Sequence, residues 1–162
     1  MMKQSAGILL YRLKNNELEV FLVHPGGPFF AKKDGGVWSI PKGEFSDEED
    51  PPEAAKREFQ EETGVVISGQ LIVLSPVRQK GGKTIHAWAA VGDLDPGQVK
   101  SNTFEMEWPP RSGRKQSFPE IDRGEWFTVP VAKEKMNQAQ VALLDELMSK
   151  LKTPDREISP ML

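Results

Sequence analysis

Four glutamates, Glu49, Glu58, Glu61 and Glu62, stand with Gly43, Arg57 and Gly64 in the stretch GEFSDEEDPPEAAKREFQEETGV, residues 43–65. Carboxylates at this spacing can build a metal site if one helix carries them. Asp50 suits a helix N-cap, Pro51 the first helical position, and Glu53 the acid of a capping box. Gly64 suits the left-handed residue that ends a helix. At about 100° per residue, Ala54, Ala55, Phe59 and Glu62 fall on or beside the face of Glu58. Glu61 lies at the edge of that arc, and Glu53, Lys56 and Gln60 face the other way. A helix that buries Phe59 and the two alanines therefore carries Glu58 and Glu62 inward.

Buried carboxylates without partners are costly or take up protons. A divalent cation removes that penalty, and an all-oxygen donor set selects magnesium, with manganese as a substitute. The helical pattern taken alone fits a solvated acidic helix equally well.

The wider stretch separates the two readings. Gly43, five residues, Glu49, seven residues, then Arg57-Glu58-Phe59-Gln60-Glu61-Glu62-Thr63-Gly64-Val65 resembles the Nudix box of the Nudix hydrolases at every fixed position. Upstream, Trp38-Ser39-Ile40-Pro41-Lys42-Gly43 is similar to the WxxPKG lead-in of many members. The resemblance implies that Glu58 and Glu62 are metal ligands, Glu61 a further ligand or the general base, and the Gly43 carbonyl another donor. Arg57 is then structural, pairing with acids such as Glu49 or Glu61 within the catalytic stretch. Lys42, directly before the glycine, is expected to contact phosphate. A further glutamate on a loop shortly before a tryptophan-bearing strand is frequent in the family, and Glu120, six residues before Trp126, matches that placement.

The implied activity is magnesium-dependent hydrolysis of a phosphoanhydride in a nucleoside diphosphate-linked substrate. Family members that prefer ADP-ribose tend to carry a proline some 15 residues after the box, and here Pro76 comes too early. The tyrosine of some dinucleoside polyphosphate hydrolases is replaced by Gly81-Gly82, and the extended coenzyme A and NADH pyrophosphatase signatures are absent. The WSIPKGE lead-in, small size and acidic composition look most like the branch of diadenosine tetraphosphate hydrolases and nucleoside triphosphate pyrophosphohydrolases. Dinucleoside polyphosphates are therefore the first expectation and nucleoside triphosphates, oxidised ones included, the second. An RNA 5′-end pyrophosphohydrolase needs a basic path, which only Arg111, Arg114 and Lys115 offer. A noncatalytic nucleotide sensor usually lacks a box acid, and none is missing here.

Composition fits one small enzyme domain. At 162 residues with a formal charge of -3 the chain is of one-domain size, and its charge argues against nonspecific DNA binding. Without cysteine there is neither disulfide nor thiolate metal site, which fits a reducing cytoplasm. The apolar run in MMKQSAGILLYRL is too short for a signal peptide, and no stretch approaches a membrane span. Neither the composition nor the motifs define an oligomeric state.

The elements that must position these residues read as an α/β chain with a mixed β-sheet. Strands are expected over residues 5–12 and 18–24 around Lys14-Asn15-Asn16, then a Gly- and Pro-rich loop over 25–36. After the helix, strands over 70–77 and 84–91 flank Lys80-Gly81-Gly82-Lys83 as a hairpin. A short strand over 104–108 precedes a basic loop over 109–119, where Arg111, Arg114 and Lys115 could clamp polyphosphate. Trp108, Phe29 and Phe30 could stack on a base, although aromatics beside strands are more often core. A strand over 125–129 and helix over 131–150, broken near Asn137, complete a single domain over 1–152, followed by a loose tail over 153–162. Helices before and after mixed strands make an α/β/α sandwich, the Nudix-type architecture. His24 and His86 lack ligand spacing and read as satisfied core or surface residues.

Overall fold

In the computed structural model, which describes residues 3–152, β1 (Gln4–Lys14) and β2 (Glu17–Pro25) form an antiparallel hairpin. Asn15 and Asn16 turn it with φ of 54° and 65°, the left-handed pair that a tight two-residue hairpin requires. β1 also runs parallel to β6 (Thr84–Val91), and β2 runs antiparallel to β9 (Ile121–Thr128). β4 (Ile72–Val73) and β5 (Val77–Arg78) both pair with β6, and β3 (Lys42–Glu44) pairs with the start of β1. The order β4-β6-β1-β2-β9, with β3 and β5 attached, makes one mixed sheet.

Both faces of that sheet are covered, and β1 shows how. Its buried run alternates: Ala6, Ile8 and Leu10 pack with Ala54, Ala55 and Phe59 of α1 (Pro51–Thr63), whereas Leu9 packs with Leu143, Leu144 and Leu147 of α3 (Val141–Leu151). Successive strand side chains point to opposite faces, so one apolar strand supplies two cores. The short helix α2 (Val129–Lys135) adds Val129 and Ala132 to the α3 side. The result is the α/β/α sandwich expected from the sequence. Among the described residues no helix is long and apolar enough to cross a membrane.

Three local expectations need correction. Asp50 occupies the N-cap of α1 but makes no side-chain cap hydrogen bond, and Glu53 lies 3.5 Å from Lys56, its partner in a surface ion pair. The strand over 70–77 is interrupted, because Pro76 has no N–H to give the ladder. There the Ser75 N–H bonds the Glu146 carboxylate of α3 instead, at 2.7 Å. Residues 109–119 are not a loop throughout: β8 (Lys115–Pro119) pairs with β7 (Thr103–Glu107) as a separate two-stranded arm. Its alternation is visible only in pairing, where Phe104 lies opposite Phe118. The helix break near Asn137 is present, the Asn137 side chain accepting from Ala139 N–H at the 3₁₀ turn Gln138–Gln140. The tail over 153–162 lies outside the described residues.

Candidate active site

α1 and β3 bring the Gly43 region and the glutamates together. Helix α1 ends where the sequence says it should, on Gly64 in the left-handed conformation with φ of 82°. Ala54, Ala55, Phe59 and Thr63 are its buried side, so Glu58 and Glu62 are drawn partly inward while Glu61 is exposed. The Glu58 side chain retains only 12% of its exposure, against 42% for Glu61. The three acids of the box are therefore unequal in solvation.

Gly43 is a glycine for want of space. A Cβ there would stand 1.8 Å from Glu58 Oε1 and 2.2 Å from its carboxyl carbon. The carboxylate of α1 thus occupies the volume that any other residue of β3 would fill. Next to it the Lys42 backbone N–H donates to Glu62 Oε1 at 3.3 Å.

Arg57 organises the outer acids. Its Nε and Nη2 make a two-pronged contact with Glu49 at 2.9 and 3.0 Å, and Nη1 reaches Glu58 at 2.8 Å and Glu61 at 3.0 Å. One planar guanidinium thus ties the loop before α1 to the helix, a task for which its fork is suited. Burial opposes that charge, but the bonds to Glu49, Glu61 and Glu58 more than offset it and hold the guanidinium above its ordinary range. The bond from Arg57 holds the Glu49 carboxyl below its usual value.

Glu62 experiences the reverse. Burial pushes it up to about 8, with Glu58 and Glu120 adding to the rise and Lys42 opposing it. Glu58 is also raised, chiefly by burial, despite Arg57. Burial pushes the Lys42 ammonium down, with Lys83 adding to it and Glu62, Glu44 and Glu58 opposing. Glu120 adds to the rise of both Glu58 and Glu62. Its backbone is pinned between Asn102 O at 2.9 Å and Gly26 N–H at 2.8 Å, at the junction of β8 and β9.

These donors fit a hard divalent cation. Two half-buried carboxylates that resist ionisation, a third at the rim and a glycine carbonyl segment are oxygen chemistry of the magnesium type. Among the described residues no three acids or histidines already converge on one point. Arg57 Nη1 holds both Glu58 and Glu61, whereas the Lys42 N–H holds Glu62.

Other predicted residues lie elsewhere. Arg111, Arg114 and Lys115 crowd the far turn of the β7–β8 arm, and by strand rise Lys115 is about 16 Å from Glu120. Phe29 is 58% exposed and stands edge-on to Trp108, ring centroids 5.5 Å apart, beside the same arm. Phe30 lies under the Lys33 ammonium, 5.5 Å from its ring centroid. His24 is buried with both ring nitrogens engaged, Nδ1 with Asp122 at 2.9 Å and Nε2 with Lys33 O at 2.7 Å. His86 bonds Gln4. A concavity of about 670 Å³ lined by Arg12, Asp93, Leu94 and Trp126 opens near the far end of β1. Its arginine is already committed to Glu19 and Asp93 and stacks on Trp126, so the carboxylate cluster is the better site. Sequence reading missed Lys83, whose ammonium lies 3.7 Å from Glu44, because that contact joins the turn before β6 to β3, about 40 residues apart in sequence.

The family model described as NUDIX domain matches residues 1–147. The chain belongs to the Nudix family. Glu58, Glu61 and Glu62 are thus the acids of a Nudix box folded on its usual kind of scaffold. An Ap4A hydrolase of C. elegans, solved as a binary complex, is 22% identical with a TM-score of 0.65, covering 93% of this chain and 98% of that one. The NUDIX domain of Shewanella oneidensis NrtR, solved with ADP ribose, is 18% identical with a TM-score of 0.64, covering 94% and 90%. At such identities the likeness establishes the Nudix fold. Among curated proteins, Nudix hydrolase 25 of Arabidopsis thaliana is 61% identical over 31 residues, 19% of this chain and 18% of that protein. An octanoyltransferase of Myxococcus xanthus is 33% identical over 102 residues, 63% of this chain and 26% of that protein. The chain spans about a quarter or less of the length of these curated relatives.

Proposed function

We propose that this protein hydrolyses a phosphoanhydride in a nucleoside diphosphate-linked substrate with magnesium, the first candidate being a dinucleoside polyphosphate such as diadenosine tetraphosphate. The observation that carries the reading is the Glu58 carboxylate seated in the space of the missing Gly43 side chain, with Glu62 and Glu120 in electrostatic reach. Glu58, Glu62 and the Gly43 carbonyl would hold the cation, with Glu61 at the rim. When bound, magnesium supplies charge neutralisation at the phosphate oxygens and makes water a better nucleophile.

The chain's own groups do the rest. Arg57 keeps Glu49, Glu58 and Glu61 on one scaffold, and Lys42 offers an ammonium to a phosphate oxygen. Glu61 or Glu120 takes the proton as water adds to phosphorus and the bridging P–O bond breaks, its electron pair leaving with the departing phosphate. Two phosphorylated fragments result. Arg111, Arg114 and Lys115 on the β7–β8 arm would pair with further phosphates of a long anionic substrate.

The test is a substrate panel with magnesium or manganese: diadenosine tetraphosphate, ADP-ribose, common and oxidised nucleoside triphosphates, and triphosphorylated RNA. Fastest turnover of diadenosine tetraphosphate is expected, and hydrolysis of none under either metal would sink the catalytic reading. Glu120→Gln assigns the base on the best substrate. A fall in kcat of about 10²- to 10⁴-fold is expected if Glu120 accepts the proton, whereas a loss below about tenfold gives that role to Glu61.

A further inference from the structure

Gln140 is a fully buried polar side chain on the sheet face opposite α1, and nothing in the chemistry above uses it. It closes the 3₁₀ turn between α2 and α3. Its Oε1 accepts from the Ile40 N–H at 3.0 Å, and its Nε2 donates to Ser39 Oγ at 3.0 Å and to Gln79 Oε1 at 2.9 Å. A backbone N–H can only donate, so the amide can be oriented one way only.

Residues 38–40 are held from both sides. Ser39 exchanges two backbone bonds with Val23 of β2, at 2.8 and 3.0 Å. On the other side the Trp38 N–H donates to Lys135 O at 3.0 Å, and the Asn137 N–H donates to Trp38 O at 2.8 Å. Gln140 continues this edge to Ile40, three residues before Gly43. Its second arm reaches Gln79. Gln79 opens a turn closed by its N–H on Lys83 O at 2.8 Å, and Lys83 lies 3.7 Å from the carboxylate of Glu44, the residue after Gly43.

We infer that Gln140 is a positioning residue for the Gly43 segment: the ladder with β1 sets the register of β3, and Gln140, bonded to Ile40 and Gln79, holds the chain that enters β3 and so steadies the fit of Gly43 against the Glu58 carboxylate. The inference rests on the metal-site reading above. It makes the α2–α3 corner a support for the opposite face of the sheet. The fit of Gly43 against Glu58 tolerates little displacement, so a side chain that touches no ligand governs how well the site closes on a cation.

The test reads cation binding by thermal unfolding of the full chain, titrated with magnesium or manganese chloride without substrate, for wild type, Gln140→Leu and Gln79→Leu. Gln140→Leu is expected to raise the cation concentration at half-maximal Tm shift by about 3- to 10-fold, less than the loss of a group bonded directly to a metal ligand. On an active substrate kcat falls while KM moves by less than about threefold, as expected when ground-state binding is untouched. Gln79→Leu cuts one arm at a half-buried position and shifts the midpoint the same way by less. A lower Tm with an unmoved midpoint in Gln140→Leu, or in Gln79→Leu should the first variant not fold, overturns the inference and leaves the metal site standing. Absence of any cation effect on the wild type overturns both.

Discussion

Glu62→Gln is expected to abolish magnesium-dependent hydrolysis, by about 10³-fold or more if the carboxylate is a direct ligand of the catalytic cation, while making the metal-free protein more stable at pH 8. The two effects share one cause. In the fold Glu62 keeps its proton up to about pH 8 because burial disfavours the charge, whereas its ordinary value is 4.5. Below pH 4.5 folded and unfolded chains both hold the proton, and nothing is lost. Between 4.5 and 8 the folded state alone holds it, so stability falls as pH rises. At about 1.36 kcal/mol per unit the loss reaches at most about 5 kcal/mol. Glutamine keeps an acceptor for the Lys42 N–H and carries no titrating proton. Thermal unfolding in EDTA should therefore show wild type and variant alike at pH 4 and the variant higher at pH 8, with magnesium restoring only the wild type. Wild-type turnover in the variant would eliminate Glu62 as a ligand, and an equal Tm at pH 8 would remove the buried-charge argument.

Gly43→Ala should silence the enzyme without unfolding it. The new Cβ would lie 1.8 Å from Glu58 Oε1, so the carboxylate must leave its seat, and Arg57, already 2.8 Å away, can take it outward. Gly43 does not adopt a positive φ, so alanine meets no backbone strain there. The expected outcome is a Tm within a few degrees of wild type and a kcat lower by about 10²-fold or more, since a displacement of about 1 Å at a reacting centre costs this much. Circular dichroism and steady-state kinetics on the best substrate check both halves. Full activity would mean that Glu58 works from another position than the one it occupies against Gly43.

Much of this site is local and was legible for that reason. The 3.6-residue period ties Glu58 and Glu62 to the burial of Ala54, Ala55 and Phe59, and the unequal exposure of Glu58 and Glu61 follows from the same arc. The partners of Arg57 lie one, four and eight residues away, within reach of a loop and one helical turn. What failed locally failed through competition. Asp50 has the right type and place for a side-chain cap and does not make one. The 109–119 stretch reads as a loop because Pro109, Gly113 and the basic residues mask a strand that exists by pairing with β7. Pro76 broke a strand whose apolar pattern ran through it, and Glu146, 71 residues away, took the freed Ser75 N–H.

By itself the sequence determined the helix, its ends, the inward and outward acids and the Nudix box, since each depends on contacts within a few turns of chain. Only the tertiary structure decided that Glu58 fills the missing side chain of Gly43, that the Glu120 backbone is pinned between Asn102 and Gly26, and that Gln140 reaches Ile40 from 100 residues away. Strand order and register set those meetings, and register is a property of pairs of distant segments, which no single stretch of residues carries.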